Sequence, residues 1–158
     1  MPRIVTNLWF DGKALEAAEY YCSVFPNSKV TNVTHYTEVG PGTPGDVLTV
    51  DYTLDGTPFT AINAGPEFTF DEAISLLIEC ADQDEIDHYW DAFTKEGEES
   101  MCGWCKDRYG LSWQVVPAGW EQTLADPDTA KVNRVLTAMF GMKKLDIAAL
   151  DAAANAEA

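Results

Sequence analysis

IVTNLWFDGKALEAAEYYCSVFPN, residues 4–27, is the stretch that decides the fold of this 158-residue chain. Its first seven residues, Ile4–Phe10, are rich in β-branched and aromatic side chains and predict a strand that ends at Asp11-Gly12. Apolar side chains from Leu15 to Phe25 then recur at helical spacing, and Pro26-Asn27 ends the helix. The chain is therefore predicted to open with a strand followed directly by a helix.

Three further strands follow this helix. Residues 29–38, 47–54 and 57–64 are rich in β-branched residues, which favour strands. The loop GPGTPGD, residues 40–46, separates the first two, because three glycines and two prolines cannot sustain a ladder. Asp55-Gly56 is a two-residue hairpin turn between the last two. The first module, residues 3–66, is predicted as strand, helix and three strands.

The same order of elements then restarts in a second module, residues 68–118. An apolar strand is predicted over 73–80, a helix over 84–95, and strands over 101–107 and 111–117. One more strand is expected to be short and to lie near 98–101. Residues 19–25 align with residues 87–93 at an offset of 68, and both segments lie on the predicted helix. The repeat predicts an α+β domain of two tandem βαβββ modules.

The tail, residues 119–158, differs from both modules. Asp126-Pro127-Asp128 is predicted to cap a helix over 129–142, whose apolar stripe runs from Val132 to Phe140. Another turn of helix is predicted at 145–150, and the last eight residues are expected to fray. We take residues 1–158 as a single domain.

Composition excludes several classes of function. A formal net charge of −16 disfavours binding to nucleic acid or to anionic membranes. No apolar run approaches the 18 residues of a membrane span, and the N-terminus lacks the pattern of a signal peptide. The four cysteines are therefore expected to be reduced, and the protein to be cytoplasmic.

Several long blocks of the chain, in order, carry a resemblance to a known family. They are WFDGKALEAAEYYCSVFPNS, FTAINAGPEFTFDEAISLLIEC, DEIDHYWDAF, CGWCKDRYGLSWQVVP and DPDTAKVNRVLTAMFGMKKLDIAAL. Together they resemble the PhnB-like branch of the vicinal oxygen chelate superfamily of glyoxalases, bleomycin-resistance proteins and dioxygenases. This branch is often described as 3-demethylubiquinone-9 3-methyltransferase-like. The resemblance implies a curved, half-open β-sheet barrel with a pocket inside.

The resemblance also implies where metal ligands would lie, on the first and last strand of each module. Those positions are Thr6, Asn63, Ser75 and Gln114. All four side chains are neutral, whereas catalytic divalent metals recruit imidazole, thiolate or carboxylate. We therefore predict no metal and no cofactor, and a polar pocket for a small-molecule ligand with Trp104 as a further lining residue.

Other readings stay open at this stage. A metal-dependent lyase, isomerase or dioxygenase could use Glu79, His35 or Glu67 instead, and whether the protein is an enzyme is undecided. Cys102 and Cys105 form a CxxC, the pattern of thiol redox sites and of half of a zinc site. On a predicted strand, however, residues three apart face opposite sides of the sheet, which disfavours both roles.

The quaternary structure is predicted from two observations. Domains of the family that the chain resembles often pair, and the stripe from Val132 to Phe140 needs an apolar surface to cover it. We therefore expect a homodimer, while packing of the stripe on its own domain is the alternative.

Overall fold

The computed structural model describes residues 1–157 and divides into two compact units, Met1–Thr69 and Phe70–Ala158. The first unit contains β1 (Thr6–Phe10), α1 (Ala14–Val24), β2 (Lys29–His35), β3 (Val47–Leu54) and β4 (Thr57–Asn63). Its sheet has the order β1-β4-β3-β2, in which β1 and β4 are parallel and the other pairs are antiparallel.

The second unit repeats this topology with β5 (Ser75–Cys80), α2 (Gln83–Thr94), β6 (Glu98–Glu99), β7 (Trp104–Lys106) and β8 (Ser112–Pro117). The order is β5-β8-β7-β6, again with one parallel pair, β5 and β8. The short strand expected near Glu98 is confirmed as β6.

The strand predicted over 101–107 is shorter in the structure. β7 begins only at Trp104, because Cys102 and Gly103 turn through left-handed conformations at φ 61° and 81°. Gly103 suits such a turn, since it has no Cβ. The α+β class and the paired modules are confirmed, and each four-stranded sheet is open rather than closed.

Each unit covers one face of its sheet with a helix. In the first unit, Tyr21 of α1 stacks on Tyr52 of β3, with ring centroids 6.5 Å apart. In the second, Phe93 of α2 stacks on Trp113 of β8 at 4.4 Å. We call the opposite side of each sheet its open face. It carries the residues that alternate with the helix-covered ones.

Three helices end the chain, α3 (Trp120–Leu124), α4 (Thr129–Phe140) and α5 (Ile147–Ala154). Asp128 caps α4 as predicted, because its carboxylate accepts a hydrogen bond from the Lys131 amide. The prediction that the last eight residues fray was wrong for Asp151–Ala154, which are helical. Among residues 1–157, every helix is too short or too polar to traverse a lipid bilayer.

The apolar stripe of α4 is partly covered within its own unit. Val135 is buried with Val116, Leu145 and Leu150, and Met139 packs against them. Phe140, at the end of the stripe, stays 64% exposed. Val135 and Met139 are therefore covered without a partner chain, so the stripe is weaker support for a homodimer than its sequence suggests.

Candidate functional site

The open face of the second unit brings together three of the predicted pocket residues. Gln114 Nε2 donates a hydrogen bond of 2.9 Å to Ser75 Oγ, which joins the first and last strands of the module. Trp104 lies directly opposite Gln114 in the pairing of β7 with β8. All three side chains are partly buried, so a hydroxyl, an amide and an indole meet at a surface that a ligand can reach.

A row of polar residues crosses the same face. The strand pairings align Ser75 with Ser112, Ser112 with Lys106, and Lys106 with Glu98. The Lys106 ammonium forms an ion pair with Glu72. The hydrogen bond within this ion pair raises the pKa of Lys106 and lowers the pKa of Glu72. Both groups are therefore charged at neutral pH.

Next to this row lies a cavity of about 130 Å³. Ser112 lines it and is only 1% exposed, yet its hydroxyl has no hydrogen-bond partner among residues 1–157. A buried hydroxyl without a partner is costly, so it is unusual in a folded protein. The other lining residues are Glu72, Glu98, Glu99, Ser100, Trp104, Cys105 and Lys106.

The structure places Thr6 and Asn63 differently from Ser75 and Gln114. Both lie on the side of their strands that carries Leu8, Phe10 and Ala61, which is the face that α1 covers. Asn63 Oδ1 accepts a hydrogen bond of 2.9 Å from the Ala14 amide at the start of α1, and its Nδ2 donates to the Val47 carbonyl at 3.1 Å. Asn63 therefore fastens the helix to the sheet.

Sequence reasoning missed the open-face residues of the first unit. The pairings align Asn7 with Thr60 and Thr60 with Asp51. Asp51 lies in VLTVDYTL, where polar and apolar residues alternate. That alternation is a signal from which Asp51 could have been found. These positions, like those of the second unit, form a polar row across the sheet.

A larger cleft of about 540 Å³ lies at one end of the first sheet. The glycine-rich loop, residues 40–46, forms one wall of it, and Asp11, Tyr36 and Asn63 contribute to the others. The Tyr36 hydroxyl donates a hydrogen bond of 2.5 Å to the Asn63 carbonyl. Asn63 thus borders this cleft, although its amide group is already occupied by the main chain.

The remaining chemical candidates do not assemble into a site. His35, Glu67 and Glu79 are exposed, and so is His88 on α2. All four cysteines are free thiols. Burial, with a smaller contribution from nearby Asp107, raises the pKa of Cys105 to about 12, so this half of the CxxC is not a reactive thiolate.

The residues present do not fit a vicinal oxygen chelate metal. The four positions implied by the family are neutral, and Thr6 and Asn63 lie on the helix-covered face. Among residues 1–157, no group of three or more His, Cys, Asp or Glu side chains is arranged to hold a metal ion. We therefore derive no chemical step through a metal.

Comparison with known proteins places this arrangement in a family. The model of the family described as 3-demethylubiquinone-9 3-methyltransferase matches residues 2–116. The structure of the PhnB protein from Bacillus cereus is 36% identical, with a TM-score of 0.68 over 74% of this chain and 100% of that one. No curated protein matched the sequence.

More distant structures share the fold alone. Protein PA1353 from Pseudomonas aeruginosa is 16% identical, with a TM-score of 0.62 over 74% of this chain and 98% of that one. The fosfomycin resistance protein FosX from Mesorhizobium loti is 11% identical, with a TM-score of 0.54 over 80% and 100%. The family match and the 36% identical PhnB structure show that this chain belongs to the 3-demethylubiquinone-9 3-methyltransferase family and is a PhnB-like member of the vicinal oxygen chelate superfamily.

Proposed function

We propose that this protein binds a small organic molecule on the open face of its second sheet, through hydrogen bonds and aromatic contact rather than through a resident metal ion. The observation that carries the proposal is the Gln114–Ser75 hydrogen bond beside Trp104. It occupies one amide N–H and one hydroxyl lone pair. The Ser75 O–H can still donate, and Gln114 Oε1 can still accept.

The chemistry of this trio suggests the kind of ligand. A molecule with one hydrogen-bond acceptor and one donor, attached to a flat apolar body, would match Ser75, Gln114 and Trp104. The exposed side chain of Leu77, which pairs with Gln114 across β5 and β8, adds an apolar contact. Within residues 1–157, no group of three or more His, Cys, Asp or Glu side chains has a geometry that could hold a metal ion, which supports the metal-free part of the proposal.

Methyl transfer is not part of the proposal, although the family description names it. The connection from β1 to α1 contains one glycine, Gly12, and the connection from β5 to α2 contains none. A dinucleotide- or S-adenosylmethionine-type cradle uses a glycine-rich turn from a strand into a helix. The chain has no such turn between these elements.

A fragment screen by two-dimensional NMR tests the proposal. We expect fragments to shift the side-chain signals of Gln114 and Trp104, and Ser75→Ala or Gln114→Met to weaken their binding about fivefold, the loss of one hydrogen bond. Gln122→Met, which changes an exposed glutamine of α3, is the matched control and should leave binding unchanged. Binding that is insensitive to both site variants would overturn the proposal.

The proposal that the protein holds no resident metal ion is tested separately. We expect elemental analysis of the purified protein to find no stoichiometric divalent metal, and divalent salts to leave its melting temperature unchanged. A stoichiometric metal whose binding is lost in Ser75→Ala or Gln114→Met would contradict this part.

We also propose that the protein is a cytoplasmic homodimer. The free cysteines suit a reducing compartment. Phe140, at the end of the apolar stripe of α4, is the part of that stripe that its own unit leaves exposed and that a second chain would cover. Light scattering of the wild type and of Phe140→Ser tests the dimer. A wild type that is monomeric at micromolar concentration would rule it out.

A further inference from the structure

The cavity lined by Ser112 and Trp104 has more negative than positive charge. Lys106 forms an ion pair with Glu72, and Glu99 is engaged by the Trp90 indole N–H at 3.1 Å and by Lys143 at 3.7 Å. Glu98 forms no ion pair among residues 1–157, although it lies opposite Lys106 in the strand pairing and attracts its charge. Lys106 is thus shared by two carboxylates, Glu72 and Glu98, and the cavity keeps a net negative charge.

A second observation points independently to a ligand. Ser112 is 1% exposed and its hydroxyl has no partner among residues 1–157, although it lines the cavity. Such a hydroxyl can accept a hydrogen bond from a group that enters. Its neighbour along the polar row, Lys106, is directed to Glu72 and makes no hydrogen bond with this hydroxyl, which is therefore available to a donor from outside the chain.

The volume of the cavity and the residues that line it limit the kind of group that can bind there. A volume of about 130 Å³ holds several non-hydrogen atoms, since a water molecule takes about 30 Å³. Trp104 provides an aromatic face, which attracts cations through its quadrupole. Among residues 1–157, no group of three or more His, Cys, Asp or Glu side chains is arranged to hold a metal ion, and an aromatic wall suits an organic cation.

We propose that this cavity takes the ammonium group of a small organic amine, with Glu98 as its counter-ion, Ser112 Oγ as a hydrogen-bond acceptor and Trp104 as its aromatic wall. The inference rests on the proposed function, because Trp104 also lies opposite Gln114 and joins the two subsites. The ligand of the Ser75–Gln114 pair is thereby assigned a class, an amine.

The negative charge of the second unit also favours an amine as the ligand. Residues 70–157 hold 18 of the 26 acidic residues but only 7 of the 10 basic ones, a formal charge of −11. Such a field concentrates cations near the surface and repels anions.

The test compares benzylamine with benzyl alcohol, its neutral analogue, by NMR titration of the full chain. We expect benzylamine to bind more tightly and to shift the Trp104 indole signal, and added salt to weaken only the amine. Glu98→Gln should weaken benzylamine about fivefold and leave benzyl alcohol unchanged. Glu121→Gln, which removes the same charge from an exposed residue of α3, is the control and should change neither.

Ser112→Ala separates a binding role from a structural one. If the hydroxyl accepts from the amine, the variant folds normally and binds benzylamine more weakly. If Ser112 only fills space, stability is kept or rises and binding does not change, which overturns its assigned role.

The outcomes also separate this inference from the proposed function. Equal binding of the two probes, both weakened by Ser75→Ala and neither by Glu98→Gln, overturns the amine site and leaves the proposed function standing. Absence of binding of either probe at millimolar concentration, together with a fragment screen that gives no hits at Gln114, overturns both.

Discussion

At the scale of single residues, Asp107 organises the turn between β7 and β8. It is 2% exposed, and its Oδ1 accepts hydrogen bonds from the amides of Tyr109 and Leu111 while its Oδ2 accepts from the Trp113 indole at 2.9 Å. We expect Asp107→Ala to lower the free energy of unfolding by about 3 kcal/mol, because three donors, two of them buried, lose a charged acceptor. Urea unfolding followed by circular dichroism measures this.

Asp107→Asn serves as the graded control. Its amide has one acceptor oxygen, which can serve either the turn or the indole, so we expect a loss between zero and that of the alanine variant. Equal stability of the wild type and the alanine variant would show that the turn does not depend on this carboxylate.

Asn63 illustrates a predicted ligand position that the structure uses for support. Asn63→Ala should lower the free energy of unfolding by about 1–2 kcal/mol, because the Ala14 amide and the Val47 carbonyl both lose their partner. Asn7→Ala, at an exposed position of β1, should change it by less than about 0.5 kcal/mol. A stable Asn63→Ala variant that no longer binds the fragments selected by NMR would reverse the assignment and make Asn63 a ligand residue.

Burial makes the Cys105 thiol unreactive. With a pKa raised to about 12 by burial, it stays protonated in the folded chain at pH values where an unfolded thiol ionises. We expect iodoacetamide at pH 8 to modify Cys102, which is less buried, well before Cys105, as mass spectrometry of the native protein would record. Because only the unfolded thiol ionises between its ordinary pKa and about 12, this group also lowers stability as pH rises through that window. Equal rates for the two cysteines would contradict the expectation.

Only some residues of the candidate site could be predicted from the sequence. The resemblance to the family implied the positions Ser75 and Gln114, and in the structure their neutral side chains are joined by a hydrogen bond. Thr6 and Asn63 came from the same reasoning but lie on the other face of their strands. A shift of one residue along a strand reverses the face, and the sequence does not determine that register.

At the scale of elements, β7 depends on how closely the chain passes Leu145. Gly103 and Gly110 have the same φ of 81°, but a Cβ on Gly103 would lie 2.9 Å from the Val115 carbonyl and 3.1 Å from Leu145, whereas a Cβ on Gly110 meets nothing within 4 Å. Gly110→Ala should cost about 1 kcal/mol for the left-handed backbone alone. Gly103→Ala should cost about 2 kcal/mol more, because it adds overpacking. Urea unfolding of this matched pair measures the difference, and equal costs would mean that the Val115 backbone and Leu145 both move aside without penalty.

The C-terminal helices show which helix bounds can be predicted from local sequence patterns and which cannot. Asp128 and the apolar stripe predicted α4, because capping and periodicity are local signals. The end of α5 was missed because its support is distant in sequence, since Arg134 of α4 donates from Nε and Nη2 to the carbonyls of Ala153 and Ala154. Gln83 likewise donates to the Leu145 carbonyl and accepts from the Ile147 amide, 62 and 64 residues away. Contacts of this kind appear only once the chain is folded.

At the scale of the whole molecule, the formal charge of −16 works against the folded state, since folding brings like charges closer. Exposed ion pairs such as Lys144–Asp87 and Arg108–Glu96 offset little of it. Raising the ionic strength from about 0.01 M to about 0.15 M shortens the Debye length from about 30 to about 8 Å, which screens the long-range repulsion more than the close pairs. We therefore expect NaCl to raise the melting temperature by about 3 °C, corresponding to about 1 kcal/mol for a chain of this size. Calorimetry in NaCl, and in sucrose of equal osmolality as the uncharged control, measures the effect. A melting temperature that falls with salt would mean that the close ion pairs contribute more to stability than the excess negative charge removes.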